Sequence, residues 1–359
     1  MKILLVDADS HNGFPNLALM KLSAWYKQKG DMIDIIHGIP TTQPLETYDK
    51  AYISCLFFQN KEAILYYAQG LDIPYELGGS GVSYDNKLPD AIEHIKPDYS
   101  LYNTDYSMGF ASRGCIRKCG FCIVPQKEGY ICDNAPITEF HDPEHKKIIL
   151  LDNNFLASPK WEQNLEYIID HKLKVNFNSG LDIRLVNRNN AALLQQIMIQ
   201  GWKFKKRNIT FAFDSPNDTT AVVQGILTLR NAGMTLNYNN CMFYVLVGFN
   251  TTPHDDLERV RILKELGVSP FVMRYNKTKG QNRILMHLSR WVNRKYYEHM
   301  DFCDYDYSDS KKAYKLTFGN SPDSSYGGLG CPQVGYAWAN RCIDEETDEI
   351  ISIQKELEL

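Results

Sequence analysis

Cys115, Cys119 and Cys122 stand in the run Ser112-Arg113-Gly114-Cys115-Ile116-Arg117-Lys118-Cys119-Gly120-Phe121-Cys122, spaced C-x3-C-x2-C. Thiolates hold iron–sulfur clusters, and a four-iron cubane takes four ligands. Three ligands on one short loop leave one iron open, and an open iron can coordinate a substrate or cofactor. A zinc site would pair two C-x2-C units or add histidines at matching spacing. Here only Cys119 and Cys122 form such a unit. Nine cysteines, an odd number without a framework, read as reduced thiols rather than as disulfides.

Such a loop must be carried by a rigid scaffold, and the flanking pattern supplies one. Lys2–Val6, Ile33–Ile36, Ala51–Phe58 and Ile73–Leu77 read as strands, with helices opened by Asn16 and spanning Lys61–Gln69. Alternating strand and helix argues for a parallel, doubly wound sheet. Gly78-Gly79-Ser80-Gly81 follows no G-x-G-x-x-G pattern and reads as a tight turn rather than a phosphate cradle. Residues 89–105 read as a connecting segment. From Tyr106 the alternation resumes, with strands at Met108–Ser112, Lys147–Leu151, Lys174–Asn178, Asn208–Phe213, Cys241–Val247 and Ser269–Tyr275. Helices are expected at Pro159–His171, Ala191–Gln200, Thr219–Asn231 and Asp255–Leu266, the last with Leu257, Val260, Leu263 and Leu266 on one face.

The cysteine spacing, with Phe121 just before the third Cys, resembles the cluster loop of the radical S-adenosylmethionine (SAM) superfamily. The resemblance covers about residues 106–290 and implies a partial TIM-type barrel of six β/α units. It also implies a 4Fe–4S cluster whose open iron takes the amino and carboxylate groups of SAM. The cluster's electron then cleaves SAM to methionine and a 5′-deoxyadenosyl radical that starts chemistry on a substrate. The first 88 residues resemble the flavodoxin-like, cobalamin-binding domain of one branch of that superfamily. That branch's Asp-x-His-x-x-Gly loop has a near match in Asp9-Ser10-His11-Asn12-Gly13, one residue short, which leaves His11 a weak cobalamin ligand. The expected organisation is therefore 1–88 cobalamin-domain-like, 89–105 linker, 106–290 radical SAM core and 291–359 C-terminal extension.

In parallel barrels, function collects on loops at the C-terminal ends of strands. Cys115, Cys119 and Cys122 are the expected metal ligands, with Arg117 and Lys118 offsetting the cluster's charge. By resemblance Phe121 packs beside the SAM adenine. Asp152 or Asn154 suits the SAM amino group, although the family's Gly-Gly-Glu type sequence is absent there. Arg184 can pair with the SAM carboxylate in bidentate fashion, or else with Asp182 as a structural pair. Asp214 and Ser215 can bond ribose hydroxyls, or Ser215 can cap the helix that Pro216 opens. Gly248 permits close backbone approach, and Met273 lies where the family sets an apolar side chain against adenine.

Composition bounds the remaining readings. The chain has 359 residues, 44% hydrophobic, with a formal net charge of −4. The last sixteen residues carry −6 of that, leaving the rest at about +2, so nothing demands a polyanion partner. Trp202-Lys203-Phe204-Lys205-Lys206-Arg207 and Arg290-Trp291-Val292-Asn293-Arg294-Lys295-Tyr296-Tyr297 interleave aromatics with cations, as nucleic-acid-binding surfaces do. The near-neutral total favours the plainer reading, a helix end and a helix packing its aromatics inward. Cys55 and Cys241 read as buried small hydrophobes and Cys132 as incidental. Cys303, Cys331 and Cys342 match no known auxiliary-cluster spacing. Neither a signal peptide nor an apolar run of spanning length is evident, so a cytoplasmic enzyme is expected, with an electron donor such as flavodoxin or ferredoxin. Two alternatives stay open: a cobalamin-dependent radical SAM methyltransferase, and a non-catalytic iron–sulfur or RNA-binding protein on the same scaffold.

Overall fold

The computed structural model describes residues 1–10, 13–275, 283–306 and 314–315. The fold is mixed α/β, with several parallel sheets. His11, Cys331, Cys342 and the acidic tail lie outside the described residues. The chain divides into two compact units, residues 1–179 with 196–205, and 180–195 with 206–359.

The first unit holds two four-stranded sheets. One is built from β1 (Lys2–Asp7), β2 (Met32–His37), β3 (Lys50–Ser54) and β4 (Tyr75–Gly78), in the order β2-β1-β3-β4 and parallel throughout. Successive residues of β1 point to opposite faces, so both faces need cover. Leu4 and Val6 pack with Ile64 and Tyr67 of the helix Lys61–Gln69. Ile3 and Leu5 pack with Leu19 and Leu22 of the helix Leu17–Gln28. Asn16 caps that second helix, its side-chain oxygen accepting from Leu19 N–H at 3.3 Å. β3 stops at Ser54, short of the expected Phe58, because the Asp9 carboxylate captures the Leu56 N–H. The Gly78–Gly81 turn is spent on close packing, since a Cβ at Gly79 would lie 2.3 Å from the Cys55 carbonyl oxygen. Segment 89–105 is built into this unit, with Ile92 and Tyr99 each in a buried cluster.

The second sheet of this unit adds β5 (Ser107–Gly109), β8 (Lys147–Leu150), β9 (Lys174–Phe177) and β10 (Met198–Ile199), in the order β10-β9-β8-β5 and again parallel. Two short strands, β6 (Ser112–Arg113) and β7 (Cys132–Asp133), pair antiparallel across the cysteine loop. The helix expected over Ala191–Gln200 runs from Arg188 to Gln195 instead. The chain then joins the sheet edge, where Gln200 N–H donates to the Val175 carbonyl and pairing displaces helix. Residues 202–206 form turns and bends rather than a helix end.

The second unit is organised on β11 (Ile209–Ala212), β12 (Cys241–Val247) and β13 (Ser269–Arg274), parallel and adjacent in that order. Helices Thr219–Asn231 and Pro253–Glu265 follow the first two strands. Thr252 and Asp255 close a reciprocal capping box at the start of the latter helix. In the second basic-aromatic run, Trp291 and Tyr297 are buried, in keeping with inward packing. Among the described residues no helix is long and apolar enough to cross a membrane.

Candidate iron–sulfur site

The cysteine loop leaves the β5–β6 end of the first unit, and its entry is fixed by the loop after β8. Asp152, buried at 2% exposure, accepts from Ser112 N–H and Ser112 Oγ–H at 2.6 Å each and from Ala111 N–H at 3.1 Å. Burial pushes its carboxyl up to about 6, against the pull of these donors. Asn153 Oδ1 accepts from Gly114 N–H at 3.0 Å. Gly114 has φ +78°, and a Cβ there would lie 2.4 Å from the Tyr130 carbonyl oxygen. Only glycine fits this left-handed, closely packed position immediately before the first thiol.

Two of the sulfurs already receive hydrogen bonds. Cys115 Sγ accepts from Arg117 N–H at 3.3 Å and from Asn154 Nδ2 at 3.5 Å. Cys122 Sγ accepts from Val124 N–H at 3.4 Å. Donors of this kind stabilise thiolate charge and tune cluster potential. Cys115 and Cys119 are partly exposed and Cys122 is exposed. Among the described residues no three Cys, His, Asp or Glu side chains converge as a single ion requires. The three thiols, with backbone N–H groups bonded to the sulfurs of Cys115 and Cys122, are donors of the type that iron–sulfur clusters take.

An ion-pair chain braces the loop, and the sequence reading missed it. Arg113 bonds Glu93 at 2.7 Å and Glu128 at 3.2 Å, with its guanidinium 4.0 Å from the Phe110 ring centroid. Glu93 also pairs with Lys21, itself 4% exposed, at 2.9 Å. No local signal marks these pairs, because Glu93 and Glu128 stand 20 and 15 residues from Arg113. Cys132 lies opposite Arg113 in the β6–β7 ladder and is exposed.

The other expected residues belong to the second unit. Arg184 holds Asp182 through two bonds, Nε at 2.7 Å and Nη2 at 3.1 Å, and Asp218 through Nη1 at 3.0 Å. Ser215 caps the short turn of helix at Pro216–Asp218, accepting from Asn217 N–H. Asp214, raised by burial, accepts from Leu246 N–H at 3.1 Å and so ties the end of β11 to β12. Gly248, at φ +79°, donates its N–H to Asp256 at 3.2 Å. Met273 is exposed near the end of β13. All five sit at the C-terminal ends of strands or in the loops that follow.

Beneath them lies a pair not anticipated. Arg259, 1% exposed, bonds Asp256 at 2.5 Å and the carbonyls of Phe213 at 2.6 Å and Leu246 at 2.8 Å. Asp256 and Arg259 thus occupy the helix face on which Leu257 was expected. Cys55 and Cys241 are buried, and burial pushes their thiols up to about 11 and about 12. They are inert small side chains.

No protein-family model matches this chain, and no curated protein matches it in sequence.

Proposed function

We propose that this chain is a radical SAM enzyme, with a 4Fe–4S cluster on Cys115, Cys119 and Cys122 and an as yet unidentified substrate. The observation that carries this reading is the three-thiol loop at the end of a parallel strand, with two of its sulfurs bonded by N–H donors. When bound, such a cluster supplies the electron that cleaves SAM reductively and starts radical chemistry. The finer fold we infer is a flavodoxin-like N-terminal sheet followed by a partial TIM-type barrel of six β/α units. It rests on the order of elements and on the parallel ladders within each sheet; the order β2-β1-β3-β4 is that of flavodoxin-like doubly wound sheets.

In this reading the chain's own residues divide the work. Asp152 and Asn153 hold the loop entry, and Asn154 orients Cys115 through its amide. Phe121 offers an apolar face beside the third ligand. Arg184 is held by Asp182 and Asp218, so gripping a ligand carboxylate requires it to exchange one of them, and Asp214 and Ser215 offer oxygens to ribose hydroxyls. Gly248 lets the backbone approach a ligand closely, and Met273 offers apolar surface for adenine.

The test is anaerobic reconstitution with iron and sulfide, then dithionite and SAM, followed by assay of 5′-deoxyadenosine. The reading predicts product that disappears in Cys119→Ala. A stable cluster with no SAM cleavage, even with cell extract supplying substrates, would favour the non-catalytic alternative.

A further inference from the structure

The first unit contains a cleft of about 740 Å³ at the C-terminal ends of β1 and β2, a volume suited to a small organic ligand. It is lined by Phe14, Tyr102, Tyr106, Trp202 and Phe204. Each of these rings is partly buried, packed against the cluster of Leu17, Met20, Tyr99, Met108 and Ile149. Phe14 meets Trp202 edge-on at 5.7 Å, and Tyr106 meets Phe204 at the same separation. The rings are thus held by one another and by the core while still forming a wall.

The charges on that wall are mostly positive. Lys203 and Lys205 line the cleft and are exposed, and among the described residues neither has a carboxylate partner. Lys203 Nζ stands 4.7 Å from the Trp202 ring centroid. Asp105, also in the lining, is already paired with Lys147. Asp7 lies behind the wall and accepts from the Tyr102 hydroxyl at 2.7 Å, with burial raising its carboxyl above the usual range. Two lining residues other than glycine have left-handed backbone, Phe204 at φ +53° and Asn103 at φ +50°. Such conformations are sparsely populated and cluster at functional sites.

From this combination we infer that the cleft binds a nucleotide, its base stacked on the aromatic wall and its phosphate held by Lys203 and Lys205. Aromatic surface with unpaired cations beside it is the pattern by which proteins grip bases and backbone together, and stacking is tolerant of base identity. The nucleotide is either a free nucleoside 5′-phosphate or one unit of a single-stranded nucleic acid. The inference does not depend on the radical SAM reading, because none of its residues belongs to the cysteine loop.

The test is calorimetric titration of the full-length chain with 5′-AMP, short oligo(A) and inorganic phosphate. The expected result is saturable binding of AMP or oligo(A) that weakens about tenfold or more in Trp202→Ala and in the double variant Lys203→Ala/Lys205→Ala. Equal affinities would identify a free nucleotide, and tighter oligo(A) binding a single strand. Dependence on these residues also separates this cleft from any adenine site elsewhere in the chain. Because both lysines are exposed, the double variant remains folded even if Trp202→Ala does not. Absence of binding, binding unchanged in the double variant, or inorganic phosphate binding as tightly as AMP would overturn the inference. Saturable binding of hydroxocobalamin with no response to AMP or oligo(A) would overturn it too.

Discussion

At the residue scale the account turns on which side chains hold the cluster and which hold the loop. Replacing Cys115, Cys119 or Cys122 by Ser is expected to abolish iron retention after reconstitution. Cys132→Ser should retain it, because Cys132 faces Arg113 across a ladder rather than standing in the loop. Iron and sulfide per chain distinguish the two cases. Gly114→Ala should cost about 1–3 kcal/mol through backbone strain alone, with more from the Tyr130 contact, read as a fall in Tm. Asp152 supplies a pH test in the cluster-free protein. An acid with a higher pKa folded than unfolded keeps its proton longer in the folded state. The contribution of Asp152 to stability therefore falls as pH rises from about 4 to about 6 and is level above that. The span is about 3 kcal/mol, and Asp152→Asn should remove that contribution from urea midpoints taken across that range. The thiol spacing was plain in the sequence, since it is local. The duty of Asp152 was not, because its partners Ala111 and Ser112 are about forty residues away.

At the element scale, the sequence displayed the strands that carry apolar runs, both buried ones such as Lys147–Leu150 and an edge strand such as Met32–His37, none of whose residues is fully buried. What escaped it depended on distant partners. Met198–Ile199 is a strand only because β9 offers it an edge, and β3 ends where Asp9 takes its next N–H. Periodicity likewise put Leu257 on the inward face of the helix Pro253–Glu265, where Asp256 and Arg259 are found. Charged residues can replace apolar ones there because two strand-end carbonyls and a carboxylate surround the guanidinium. Arg259→Met should therefore destabilise the chain by about 3–5 kcal/mol, leaving Asp256 buried and unpaired. The double variant Arg259→Met/Asp256→Asn should cost less than the two single changes together, which denaturant unfolding will show.

At the scale of the whole molecule, the sulfur-rich loop and the aromatic cleft belong to one unit, and the strand-end residues Arg184, Asp214, Ser215, Gly248 and Met273 to the other. Ligands that bind the folded chain and not the unfolded one stabilise it by mass action. Cluster loading should accordingly raise Tm, and the increment should be absent in Cys119→Ala even where the cluster-free Tm is unchanged. The central claim is that three thiols leave one iron open for SAM, and electron paramagnetic resonance of the reduced, reconstituted protein tests it most directly. The account predicts a 4Fe–4S signal whose g-values shift when SAM is added and that is absent in Cys119→Ala. A signal indifferent to SAM, or one that survives loss of Cys119, would contradict it.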